Sequence, residues 1–306
     1  MYRTLIVPLD GSPFAERAVA TAAAIAKQSH AELALARVHE AYLYETTDYS
    51  RVDDHSRRDQ EEYLARVAEG IETTIGIQPR RVLLEGVIPL AISEFASSVE
   101  EPLIVMSTHG RTGFSRLWLG SVADALLRYL STPVLMLRHQ ASGLNLTQPH
   151  RFENVLVPLD GSDVAELALT HAAALARPFG ATLTLLRVVA PAPAPVALYA
   201  APFAAPALEQ FDETLRPRID EAGDYVNAVA ARLHANESIP TVRTDVRVSE
   251  STAPAILDTA AAHNADTIAI VTHGRGLSRL VSASVADKLL RAGPDAVLVL
   301  RASPAP

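Results

Sequence analysis

Two segments of this chain combine glycine, arginine, histidine and a hydroxyl at spacings that could hold an anion. In the first, Gly110-Arg111-Thr112-Gly113 is followed by Gly120-Ser121-Val122. Glycine permits positive φ and lets a ligand approach the backbone. Successive N–H groups in such a turn form an anion-binding concavity. A helix beginning at Ser121 would add the N–H groups and dipole of its first turn. The Ser121 hydroxyl either caps that helix or bonds a phosphate oxygen, and Arg111 and Arg116 bring positive charge. The loop is thus either a polyphosphate cradle or a strand–turn–helix connection whose glycines only permit the turn. His109 either bonds a phosphate, serves as a base, or packs the turn. The second segment has His273-Gly274-Arg275-Gly276 and then Ser284-Val285.

Asp10 and Asp160 each close an apolar run in a Pro-Leu-Asp-Gly-Ser turn, with prolines at Pro8 and Pro158. A carboxylate there either accepts from ribose hydroxyls, faces a magnesium ion, or builds an Asx turn before the next helix. Val38 and Val188 end a second apolar run. Their main-chain groups either meet an adenine edge or serve only strand packing. Two other phosphate motifs fail. No GxxxxGK[ST] occurs, and Gly274-Arg275-Gly276 has Arg279 where a dinucleotide fingerprint needs its third glycine. The eight histidines outside these loops show no metal-ligand spacing such as HExxH.

These residues sit in a duplicated chain. LIVPLDGS at Leu5–Ser12 returns as VLVPLDGS at Val155–Ser162, an offset of 150. THGRTGFSRLWLGSVADALLR at Thr108–Arg128 returns as THGRGLSRLVSASVADKLLR at Thr272–Arg291. PVLMLR at Pro133–Arg138 returns as AVLVLR at Ala296–Arg301, an offset of 163. Repeats this long are whole domains, not solenoid units. The second copy gains residues between Val188 and Glu250, mostly in the Ala/Pro-rich segment Pro191–Leu208. That segment reads as a semi-rigid loop or, from its apolar Tyr199, Phe203 and leucines, as a lid or partner-docking surface. Gln140–Arg151 reads as the linker.

Within the first copy the pattern predicts strands at Tyr2–Leu9, Glu32–His39, Arg81–Glu85, Leu103–Ser107 and Val134–Leu137. Helices are predicted at Phe14–Gln28, Val52–Gly76, Pro89–Val99 and Ser121–Leu130. Ser12 is placed as N-cap and Pro13 as the first helical residue. Alternating strands and helices, with near-continuous apolar runs in the first, fourth and fifth strands, predict a doubly wound parallel sheet. Ligands of such sheets bind beyond the carboxyl ends of the strands, where both Asp10 and the glycine loop fall.

Composition narrows the chemistry. The 306 residues contain no cysteine, which excludes disulfides, thiolate metal sites and cysteine nucleophiles. A net charge of −8 disfavours nucleic acid and anionic membranes as partners. The uncharged run Val188–Leu208 carries prolines at 191, 193, 195, 202 and 206, which argues against a membrane helix. With no secretory signal pattern at the N-terminus, a cytoplasmic protein is expected.

VPLDGS, the S-T-H-G that nine residues separate from G-S, and the terminal PVLMLR together resemble the universal stress protein family in its tandem two-domain form. The resemblance covers nearly the whole chain, once per half. It implies two Rossmann-like α/β domains, residues 1–140 and 152–306, each a five-stranded sheet of order 3-2-1-4-5. It also implies pairing of the fifth strands, Val134–Leu137 with Val297–Leu300, as an intrachain pseudo-dimer, and a homodimer of chains. One branch of the family binds ATP through G-x-x-G-x(9)-G-[ST]. Carried over, the nucleotide residues of the first domain are Pro8, Asp10, Val38, Ser107, His109, Gly110, Arg111, Gly113, Gly120, Ser121 and Val122. Those of the second are Pro158, Asp160, Val188, Gly274, Arg275, Ser284 and Val285. Ser107 departs from the first motif glycine. The second domain departs further, with Val271 at that position, a loop one residue shorter, and Ala283 for the last glycine. ATP, with or without magnesium, is therefore expected to bind the first domain more tightly. The expected role is a nucleotide-dependent regulatory or stress-response protein with an unidentified protein partner. Fast catalysis is not expected, since phosphoryl transfer needs a positioned base and a metal-held transition state. A slow ATPase and a nucleotide-free interaction scaffold are the alternatives.

Overall fold

A computed structural model of the chain describes residues 2–40, 49–107, 121–138, 145–191, 204–237, 239, 241–272 and 285–302. The chain forms two compact units. The first comprises Met1–Arg151, Val271–Ser284 and Asp295–Pro306, and the second Phe152–Ile270 and Val285–Pro294.

In the first unit the elements run β1 (Thr4–Pro8), α1 (Arg17–Ser29), β2 (Glu32–His39), α2 (Tyr49–Ile75), β3 (Arg80–Glu85), α3 (Ile88–Ser98), β4 (Pro102–Ser107), α4 (Ser121–Tyr129) and β5 (Val134–Leu137). The strands lie in the order β3-β2-β1-β4-β5 and pair in parallel. Each connection is a crossover that returns a helix to the sheet, as parallel pairing demands. The apolar runs read from the sequence are the centre of the core: Leu5, Ile6, Val7, Leu103, Ile104 and Val105 are fully buried. Each such side chain contributes about 1.5–3 kcal/mol on leaving water. Helix α1 meets the sheet through Ala18, Val19, Ala22, Ala23 and Ala26, and the small side chains allow close approach.

The second unit repeats the plan: β6 (Asn154–Leu159), α5 (Asp163–Phe179), β7 (Thr182–Val189), α6 (Ala204–Glu237), β8 (Val242–Val248), α7 (Thr252–Ala262), β9 (Thr267–Thr272) and α8 (Val285–Ala292). Its order is β8-β7-β6-β9, again parallel. The last strand of the second repeat, β10 (Ala296–Arg301), belongs to the first unit. There it pairs antiparallel with β5, Val297 opposite Met136 and Leu298 opposite Leu135. The expected pairing of the two last strands is thus present.

Two local expectations differ from the structure. Regular α1 begins at Arg17, not Phe14. Ser12 Oγ accepts from Ala15 N at 3.2 Å as a cap should, but the turn after it closes through tighter i→i+3 bonds, Arg17 N to Phe14 O and Ala18 N to Ala15 O. In the second unit Ser162 caps α5 directly, its Oγ accepting from Ala165 N. The expected loop Pro191–Leu208 is helical from Ala204 on, and α6 is 34 residues long against 27 in α2. Proline is tolerated in a first helical turn, where the missing N–H has no partner in any case. In the expected linker Asn145, Thr147 and Gln148 are exposed, while His150 is buried and its N–H donates to Thr21 Oγ1 at 3.0 Å. Among the described residues no helix is long and apolar enough to cross a membrane.

Candidate functional site at the strand ends

The carboxyl ends of the first two strands of each unit are built alike. β1 pairs with β2 as far as Pro8 opposite Ala36, while β2 continues against β3 to His39 opposite Glu85. In the second unit β6 stops at Leu159 opposite Arg187, and β7 continues against β8 to Val189. Val38 and Val188 therefore lie past the end of the neighbouring strand, with one main-chain edge toward the crevice. Both side chains are half-buried, as are those of Pro8, Pro158 and Ser107.

The aspartates build the turn. Asp10 Oδ1 accepts from Ser12 N at 2.8 Å. Asp160 Oδ1 accepts from Ser162 N at 3.0 Å and from Ser162 Oγ at 2.6 Å. The Asx-turn reading holds for both, while the capping oxygen is the serine's. Between aspartate and serine, Gly11 and Gly161 have φ of +81° and +85°, a region where a Cβ is strained. The bare glycine also admits an arginine. A Cβ on Gly11 would fall 2.7 Å from Arg37 Nη1, and one on Gly161 3.4 Å from Arg187 Nη2.

Those arginines belong to a constellation the sequence reading missed. Tyr63 on α2 donates its hydroxyl to Glu16 Oε1 at 3.0 Å, and the Arg37 guanidinium lies 5.0 Å from the centre of the Tyr63 ring. In the second unit Tyr225 on α6 donates to Glu166 Oε1 at 2.9 Å. Arg232 pairs with the other oxygen of Glu166, and Arg187 Nη1 donates to Leu159 O at 3.2 Å. Burial and the adjacent glutamate push both phenols above their usual value, so each stays a protonated donor. Each glutamate sits just after its Asp-Gly-Ser turn, so the tyrosine ties the long helix to the ligand end of the sheet. Glu166 and Arg187 repeat Glu16 and Arg37 at the offset of the PLDGS turns, and that recurrence was a usable signal. Tyr225 follows Tyr63 at 162, displaced by the insertion.

In the second unit these ends border a cavity of about 520 Å³. Asp160 and Gly161 line it from the turn, Arg187 to Ala190 from the end of β7, and Arg218, Glu221, Ala222 and Tyr225 from α6. Of the expected nucleotide residues, Asp160 and Val188 are brought together here. Val122 lies in the first turn of α4 and is half-buried, and Val285 opens α8 and is exposed. Ser121 is the first residue of α4. His109, Gly110, Arg111, Gly113, Gly120, Gly274, Arg275 and Ser284 lie outside the described residues. Among the described residues no group of three or more His, Asp or Glu side chains is placed to hold a metal ion.

Comparison with known proteins agrees with this architecture. The model of the universal stress protein family matches residues 1–138 and again 151–301. A universal stress protein of Methanocaldococcus jannaschii is 30% identical over 147 residues, covering 45% of this chain and 83% of that relative. The crystal structure of a universal stress protein from Archaeoglobus fulgidus superposes with a TM-score of 0.70 at 22% identity, covering 98% of this chain and 99% of that one. A functionally unknown protein from Pseudomonas aeruginosa gives 0.59 at 17% identity, covering 98% of this chain and 92% of its own. Two matches to one family model, over two halves that fold alike, place this chain in the universal stress protein family as a tandem two-domain member.

Proposed function

We infer that this family member is a nucleotide-binding regulatory protein of the stress response, with an adenine nucleotide as its ligand and no fast catalysis. The observation that carries the reading is the strand-end crevice. An aspartate turn after the first strand and a valine of the second strand that runs past its end recur there in both units. The chemistry fits a nucleoside. A main-chain edge offers a donor and an acceptor to a base, and a carboxylate accepts from a ribose diol. Asp10 and Val38 would hold ribose and base in the first domain, and the loop from His109 to Ser121 would hold the phosphates. The bound nucleotide would supply a ligand that favours one conformation, since a ligand shifts an equilibrium only by its differential affinity.

The test is thermal unfolding of nucleotide-stripped protein with and without MgATP. A ligand at one hundred times its Kd stabilises the folded state by about 2.7 kcal/mol, so a clear rise in Tm is expected. Asp10→Ala should diminish that rise. No rise, together with no nucleotide released from freshly purified protein on denaturation, would favour an interaction scaffold. Turnover that disappears in Asp10→Ala or His109→Ala would make the protein an ATPase.

A further inference from the structure

A strand at the rim of a sheet carries a row of backbone N–H and C=O groups that another strand can meet. The fifth strand of the first repeat leaves no such row, because β5 lies between β4 and β10. Two rims remain among the described strands. β3 pairs only with β2, and β8 only with β7. Gly86 N donates to His39 O at 3.2 Å, so the even-numbered residues of β3 turn their main chain toward β2. Main-chain direction alternates along a strand, so Arg81, Leu83 and Glu85 turn theirs outward. Among the described residues no main-chain group bonds to them. Val82, Leu83 and Leu84 are only half-buried, whereas Leu5, Ile6 and Val7 in β1 are fully buried.

This rim is complementary to itself. A second copy can add to it antiparallel, about a two-fold axis normal to the sheet. Each face of the sheet then runs on unbroken, so an odd-numbered residue meets an odd-numbered one. With Leu83 on the axis, Leu83 meets Leu83 of the second copy and Arg81 meets its Glu85. Val82 meets its Leu84. The odd-numbered pairs exchange main-chain hydrogen bonds. Opposite charges and apolar side chains directly across a ladder stabilise it. Arg81 is exposed. Glu85 pairs with Arg57 of α2 and is still 61% exposed, and a carboxylate accepts from more than one donor.

The other rim behaves differently. Ser249 N donates to Val189 O at 3.0 Å, so the odd-numbered residues of β8 face β7 and the even-numbered ones face outward. Full antiparallel overlap of two such strands sets Arg243 against Arg247 and Asp245 against Asp245, like charges in each case. Shifted registers leave Asp245 as the counter-charge, and it is already held by His263 and Arg247 of its own chain. We propose that β3 is the docking edge for a second copy of this chain, joined by antiparallel β3–β3 pairing with Leu83 at the two-fold axis. The contact is isologous, so it closes at a dimer and does not propagate into a fibre.

The experiment is sedimentation velocity of the full chain across a dilution series, with circular dichroism as the control for folding. The unmodified chain should sediment as a dimer at the concentrated end. Arg81→Glu and Glu85→Lys each set like charges opposite one another, twice per interface. Each should raise the dimer Kd by about tenfold or more. An equimolar mixture of the two variants restores both opposite-charge pairs and should sediment as a dimer. Arg243→Glu on β8 should leave the dimer intact. The chain has no cysteine, so the register can be read directly. Residues 82 and 84 form a closely spaced pair with Cα atoms about 4.5 Å apart, within disulfide range. Val82→Cys chains mixed with Leu84→Cys chains should cross-link on air oxidation, and neither variant alone should do so. A monomer at every concentration would overturn the proposal. So would a dimer that is unchanged in both charge variants, or a charge-variant mixture that stays monomeric while the cysteine mixture fails to cross-link.

Discussion

Gly11 and Gly161 hold left-handed backbone at the end of the first strand of each repeat. An alanine at either position costs about 1–2 kcal/mol from backbone strain alone. At Gly11 the new Cβ would also fall 2.7 Å from Arg37 Nη1, against 3.4 Å from Arg187 Nη2 at Gly161. The Arg37 guanidinium is the far end of a flexible side chain and can shift, so Gly11→Ala and Gly161→Ala are both expected to lower the urea midpoint through backbone strain, and an unchanged midpoint in either would contradict the left-handed turn. The tyrosine clasps give a second prediction. Tyr225→Phe removes the donor to Glu166 and should cost about 1 kcal/mol. A third concerns alkaline pH. Burial raises the phenols of Tyr2, Tyr63 and Tyr225 above their usual 10.0. In the unfolded chain those phenols ionise near the usual value, while in the folded protein they stay protonated. Stability from this source is whole below pH 10.0 and is lost as pH rises above it. Urea midpoints should fall above that pH, and less steeply in Tyr2→Phe. An unchanged slope would contradict the burial effect.

At the scale of elements, the strands were legible because parallel strands buried on both faces are continuous apolar runs. Leu5–Val7 and Leu103–Val105 could not read otherwise. The beginning of α6 was not legible, because Ala204 and Pro206 continue an Ala/Pro-rich stretch that reads locally as loop. The pairing of β10 with β5 followed from the family resemblance and not from the chain order of the repeats. Complementary edges and apolar faces decide that, and both last strands have them. Leu298 is fully buried where β10 pairs with β5. Leu298→Asp places a carboxylate in that core and should cost about 3 kcal/mol or more. Chemical denaturation of the whole chain would show it, and a midpoint within error of the unmodified protein would contradict the pairing.

For the molecule as a whole, duplication made the fold and the positions of Asp10, Asp160, Val38 and Val188 readable from the sequence. The walls of the site were less readable. Arg187 and Tyr225 come from separate elements that meet only in the folded unit, and the insertion before α6 displaces the tyrosine from the common offset. The repeats have kept the Asp-Gly-Ser turn and the Glu–Tyr clasp while diverging in the sequence of the glycine loop. Under the proposed function, divergence of the loop makes the first repeat the tighter nucleotide site. Calorimetric titration of the nucleotide-stripped chain with MgATP, read for stoichiometry as well as affinity, tests this most directly. One ATP per chain, abolished by Gly120→Val, is the expected result. Two equivalent ATP sites would contradict the inequality of the repeats, and no binding by heat or by an independent fluorescence assay would contradict nucleotide recognition itself.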